Sequence, residues 1–152
     1  MQNYNYSQNG WYFVTICTQN YYNFFGEILN NKIILNKYGQ IVNNSWFDLP
    51  NHYKNCILDE FIVMPNHIHG IVIIKNNNSI ENNITGLSEI IRGFKTFSSR
   101  EINKQKQNIM FHWQKSFYDH IIRNEKSLNK IREYIINNPL KWESDRNNFK
   151  NL

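Results

Sequence analysis

Cys56-Ile-Leu-Asp-Glu-Phe-Ile-Val-Met64 and His67-Ile-His-Gly-Ile-Val-Ile-Ile74, separated only by Pro65-Asn66, decide how this chain folds. Both runs are rich in β-branched and aromatic residues, and a two-residue link between them allows only a tight reversal into neighbouring strands. Successive strand side chains point to opposite faces, so His67 and His69 share one face while Ile68 turns to the other. Beyond His69 both faces are apolar, which places the second strand inside a sheet. Two imidazoles on one face can serve a single metal ion. A strand His is also commonly a hydrogen-bonded core residue, so the pair alone leaves both readings open.

Outward from this hairpin the chain alternates strands and helices. Trp11–Thr18 reads as the first strand, and Gly26–Leu35 as a hairpin turning at Asn30-Asn31. From Asn36 the apolar spacing through Ile41, Val42, Trp46 and Leu49 predicts a helix ended by Pro50. Lys75–Ile84 is polar and aperiodic, and reads as a mobile loop. Thr85 then caps a helix with Leu87, Ile90, Ile91, Phe94 and Phe97 on one stripe, and Arg92, Lys95 and Arg100 away from its centre. After a polar stretch at Asn103–Asn108, Trp113–Arg123 reads as the last strand. Asn124 caps a final helix with Leu128, Ile131 and Ile135 inward, stopped by Asn137-Asn138-Pro139. The expected class is α+β: an antiparallel sheet with helices packed against one face.

The length of 152 residues predicts a single domain over 1–152. Lys plus Arg exceed Asp plus Glu by 17 to 12, a net charge of +5 that leans mildly toward a polyanionic partner. Cys17 and Cys56 form no CxxC pair, which argues against a disulfide framework or a cysteine metal site. No apolar run reaches membrane-spanning length, and Met1-Gln-Asn-Tyr-Asn-Tyr6 lacks the blocks of a signal peptide. The expectation is a cytoplasmic protein with no membrane partner.

Within the last helix, Tyr134 and Asn138 are four residues apart and project from one face, flanking the apolar stripe at the edge between helix and sheet. Alone, they also fit a surface Tyr and an Asn at a fraying helix end. Taken together, Met64-Pro-Asn-His-Ile-His-Gly70, Gly93-Phe-Lys-Thr-Phe-Ser-Ser99, Trp113–Arg123 and Tyr134-Ile-Ile-Asn-Asn-Pro139 resemble the single-tyrosine transposases with a His-hydrophobic-His (HUH) motif, in the branch associated with REP palindromes. The resemblance runs in order over roughly residues 10–142. It implies a ferredoxin-like, RRM-like palm, cleavage of single-stranded DNA beside a hairpin, a divalent cation (Mg²⁺ or Mn²⁺) and a covalent 5′-phosphotyrosine link. It also implies a nucleoid-associated protein in the cytoplasm.

Residue by residue, His67 and His69 match the family's metal pair and Tyr134 its nucleophile. Asn138 sits where this branch places a third ligand. The residue types suit that chemistry: a metal held by imidazoles and an amide oxygen can polarise a phosphodiester, and the pair is expected at a cleft. His120 could line the site. Arg92, Lys95, Arg100, Lys115 and Arg123 could contact phosphates, with Trp113 or Phe117 stacking on unpaired bases. Tyr118, beside Asp119 and His120, is a rival nucleophile, but strand parity points Asp119 away from that His. Three other readings remain: a non-catalytic nucleic-acid-binding module, a domesticated REP-hairpin-processing protein, and a hydrolase using water with Tyr134 structural. Monomer and homodimer both stay open.

Overall fold

A computed structural model describes residues 9–76, 85–105 and 108–148. Most of the polar stretch after Lys75, and residues 106–107 of the second one, lie outside them. Among the described residues the strands are β1 (Gly10–Cys17), β2 (Gly26–Leu29), β3 (Lys32–Leu35), β4 (Cys56–Met64), β5 (His67–Ile74) and β6 (Tyr118–Ile122). The α-helices there are α1 (Lys37–Phe47), α2 (Leu49–His52), α3 (Leu87–Asn103) and α4 (Glu125–Ile136). The main sheet has the order β4-β5-β1-β6, antiparallel throughout, and β2-β3 form a separate hairpin. With α1 after β1 and α3 after β5, this is the βαββαβ ferredoxin-like palm.

Strand parity sorts the core into two layers. Tyr12, Val14 and Ile16 of β1, with Ile68, Val72 and Ile74 of β5, join Val42, Trp46, Ile90, Ile91 and Phe94 in the larger cluster. Phe13, Ile71 and Ile122 face the other way and pack on Ile135 of α4, with Leu128 and Ile131 beside them. So α1 and α3 cover one face, as expected, while α4 crosses the opposite one. His67 and His69 have the parity of Ile71 and therefore lie under α4. Gly70 has the other parity, and a Cβ there would stand 2.5 Å from the Trp46 ring, so glycine lets that indole lie against the strand. Trp46 in turn stacks on Phe61 at 4.6 Å.

Local chemistry explains the boundaries. Asn30 and Asn31 take the left-handed conformation (φ 51° and 62°) that a two-residue hairpin turn requires. Asn36 Oδ1 caps α1 by accepting the Tyr38 and Gly39 N–H groups, and Asn124 Oδ1 caps α4 through Ser127. Four expectations need correction. Pro50 does not end the helical path: α1 stops at Phe47, and Pro50 lies in the first turn of the short α2, a position that needs no N–H donor. Gly86, not Thr85, precedes α3. Phe97 is exposed, the inward stripe continuing instead through Ser98 and Ile102. The last strand is shorter than Trp113–Arg123, because Trp113 is drawn into the core, where its indole donates to Ser98 Oγ. Only an isolated bridge to Thr18 marks strand pairing at Trp113. Among the described residues no helix is long and apolar enough to cross a membrane.

Candidate active site

The β1/β5 register sets Thr15 opposite His69 and Cys17 opposite His67. Thr15 Oγ1 lies 2.7 Å from His69 Nδ1, and Asn66 Oδ1 lies 2.7 Å from His67 Nδ1. Asn66 is fixed in turn, its Nδ2 donating to Asn147 O at 2.6 Å. With Nδ1 of each ring occupied, the two Nε2 atoms converge at 3.1 Å. An oxygen partner behind each imidazole is the arrangement that orients metal-ligating histidines.

Both rings are buried, not placed at an open cleft as expected: His67 is 0% and His69 2% exposed. Trp142, in the 3₁₀ turn Pro139–Ser144, lies nearly parallel to His67 at 6.0 Å. Burial pushes the His67 imidazolium down to about 3, the Asn138 amide pulling the other way. His69 is held well below its usual range, first by burial, then by the charges of His67 and Arg146. Both are therefore neutral at physiological pH, the form that coordinates a metal.

Tyr134 on α4 and Asn138, which lies not within that helix as expected but in the turn just beyond its end, come to the pair together. The Tyr134 ring meets His69 at 5.2 Å and the edge of Phe13 at 6.1 Å, and the side chain is 40% exposed. Asn138 is 2% exposed; its Nδ2 donates to Tyr134 O, while its Oδ1 is buried without a hydrogen-bond partner. A buried carbonyl that interacts with His67 yet completes no well-formed hydrogen bond is suited to a cation shared with the two converging imidazoles. Two nitrogens and an amide oxygen therefore fit a divalent ion, although among the described residues no three His, Cys, Asp or Glu side chains form such a group.

The other candidates are not gathered there. His120 shares the face of Phe13 but is exposed on β6, which is separated from β5 by β1. Arg92 and Arg100 are exposed on α3, across the sheet, lining a hollow of about 550 Å³. Lys95 is a structural clamp: its Nζ donates to the carbonyls of Gln114 and Lys115 at 2.6 and 3.1 Å. Lys115 and Arg123 flank β6 on the surface. Trp113 is buried and so is not a stacking platform.

Sequence reading missed Thr15, Asn66, Trp142 and Asp145. Asp145 is 8% exposed, accepts the Asn147 N–H on Oδ1, and has Oδ2 4.0 Å from His67 Nε2. Burial pushes its carboxyl above the usual range. The parity of β1 could have signalled Thr15; no local pattern marks the others.

Residues 27–138 match the family described as transposase, IS200-like, a span that includes His67, His69, Tyr134 and Asn138. The chain belongs to the IS200-like transposase family and is thus a DNA-processing enzyme. An uncharacterised Haemophilus influenzae Rd protein is 38% identical over 161 aligned residues, covering 96% of this chain and 89% of its own. A REP-associated tyrosine transposase solved bound to a REP hairpin superposes with a TM-score of 0.64 at 22% identity, over 93% of this chain and 74% of that one. A Deinococcus radiodurans R1 protein described as a transposase gives 0.54 at 16% identity, over 90% and 95% of the two chains. These two likenesses establish the shared fold.

Proposed function

We propose that this transposase is a divalent-cation-dependent enzyme that recognises a DNA hairpin, cuts the adjoining single strand with Tyr134, and rejoins it elsewhere. One observation carries the reading: Tyr134 packs on His69 while Asn138, one helical turn on, buries an unpartnered Oδ1 beside the pair. His67 Nε2, His69 Nε2 and Asn138 Oδ1 would hold the ion, and the amide oxygen adds a hard donor suited to Mg²⁺ or Mn²⁺. When bound, the ion would polarise a phosphodiester oxygen and offset transition-state charge.

The chain's own residues do the rest. Thr15 and Asn66 hold the imidazoles in orientation, and α4 presents the phenol. Tyr134 Oη attacks phosphorus, the Tyr–O–P bond forming as the bond to the 3′ oxygen breaks. The phenolic proton is balanced on the released 3′-hydroxyl, leaving a 5′-phosphotyrosine. Rejoining reverses these steps with another 3′ end. A free phenol has a pKa near ~10, so attack requires Tyr134 to give up its proton to a neighbouring base. Support for a hairpin substrate comes from the motifs that resemble the REP-associated branch, from the +5 net charge, and from the hairpin bound by a structural neighbour.

The test uses a single-stranded DNA in which a REP-like hairpin adjoins an unpaired flank. A covalent adduct should form with Mg²⁺ or Mn²⁺, vanish in EDTA, and be absent for His67→Ala. The hairpin should outcompete random single strand at matched salt, with affinity falling by roughly 0.7 log units per log unit of salt for each phosphate neutralised on the unpaired part. An adduct in EDTA contradicts the metal role, and equal competition contradicts hairpin recognition. Binding with no adduct under any condition leaves a nucleic-acid-binding module.

A further inference from the structure

On the His67/His69 face a second hollow, of about 540 Å³, opens beside the metal pair. Thr15, whose hydroxyl holds His69, is one of its walls, so the two sites adjoin. Its volume lies within the ~300–1,000 Å³ of small-ligand pockets. Other residues that line it are the aromatics Tyr21, Phe117 and Tyr118, together with Gln114 and Arg146. Tyr118 is 52% exposed and meets the edge of Phe13 at 6.5 Å, the same ring that Tyr134 meets at 6.1 Å. Tyr21 reaches the hollow from a left-handed backbone (φ 57°) that bulky residues rarely adopt. Such conformations concentrate at ligand clamps.

A phosphate site would gather cations and backbone N–H groups. Here one basic residue, Arg146, shares the lining with three aromatic residues and with Gln114, whose amide can both donate and accept, the residue types that hold an unstacked base and read its edge. We propose that this hollow seats one unpaired base of the DNA strand next to the scissile phosphate, stacked on Tyr118 and read by Arg146 and Gln114. The inference rests on the single-strand cleavage reading above, and it gives Tyr118 a binding role in place of a nucleophilic one.

Binding is measured in a Tyr134→Phe background, so the result is independent of whether covalent chemistry occurs. The probes are oligo(dT)₁₂, oligo(dA)₁₂, oligo(dC)₁₂ and a 12-residue abasic strand. Tyr118→Ala should weaken oligo(dT)₁₂ binding about 5- to 150-fold, the range for losing one base–aromatic stack, and leave the abasic strand unaffected. Tyr118→Phe should bind as the parent does. Tyr118→Leu should behave as Ala does, which keeps the test valid if the Ala variant unfolds. Arg146→Ala and Gln114→Ala should each flatten the preference among the three bases. Equal oligo(dT)₁₂ binding by Tyr118→Leu and the parent, an equal loss on the abasic strand, or a base preference unchanged in both edge variants would overturn the proposal. Failure of the cleavage reading shows separately, as a wild-type protein that never forms an adduct.

Discussion

Thr15 stands opposite His69 on the neighbouring strand and, through its hydroxyl, fixes which imidazole nitrogen faces the proposed metal position. Replacing it by Val keeps the β-branched shape and removes that anchor, so Mn²⁺ affinity by calorimetry should fall roughly 10- to 100-fold. Unchanged affinity would show that the hydroxyl plays no supporting part. His67→Ala should cost stability as well as metal, because it strands Asn66 Oδ1 in the interior, worth about 1–3 kcal/mol. Equal melting temperatures for this variant and the parent, without metal, would contradict that. Strand parity made the histidine pair legible in the sequence, and helical spacing did the same for Tyr134 with Asn138. Asn66, Trp142 and Asp145 were not legible, since their roles arise where the turn after Pro139 folds back over His67. Lys95 misled for a related reason: a surface-patterned cation was already committed to two carbonyls.

α4 carries Tyr134, the proposed nucleophile, to the proposed metal position, and the chain holds this helix on its own sheet. Arg132 makes a bidentate contact to Asp59 on β4, at 2.8 and 2.7 Å, and lies over the Trp11 ring at 5.9 Å. Asp59 falls where the β4/β5 register shifts, between Leu58 and Phe61. The irregularity is consistent with a bulge that re-aims a side chain toward the helix. Arg132→Ala should slow adduct formation about ten- to a hundredfold while hairpin binding persists, since small misplacement of a reacting group is costly. A rate equal to the parent's would mean that packing of Ile135, Leu128 and Ile131 alone sets the helix. The same elements show where periodicity fails. Phe97 fits the apolar stripe by spacing yet faces outward, and Trp113 leaves its strand for the core, because tertiary packing outweighs local pattern.

Over the whole molecule, buried neutral histidines make metal-free stability depend on pH. Unfolded His takes up a proton near ~6.5. The folded pKa values of His67 and His69 are depressed, so their contribution is complete above that pH and is lost as pH falls toward about 3 for His67. Asp145, raised by burial, acts in the opposite sense but is one group against two. The urea midpoint without metal should therefore be lower at pH 5 than at pH 7, and a midpoint that rises on acidification would contradict the buried neutral pair. The palm itself was legible from element order. Its placing of α4 on the face opposite α1 and α3 was not, since an amphipathic stripe does not say which face of a sheet it will cover. The central claim is that Tyr134 is the attacking residue, and peptide mass spectrometry of the wild-type protein–DNA adduct tests it most directly. The nucleotide should be found on Tyr134 through its 5′ phosphate, with no adduct from Tyr134→Phe and full adduct from Tyr118→Phe. A nucleotide carried on Tyr118, or an active Tyr134→Phe protein, would contradict the account.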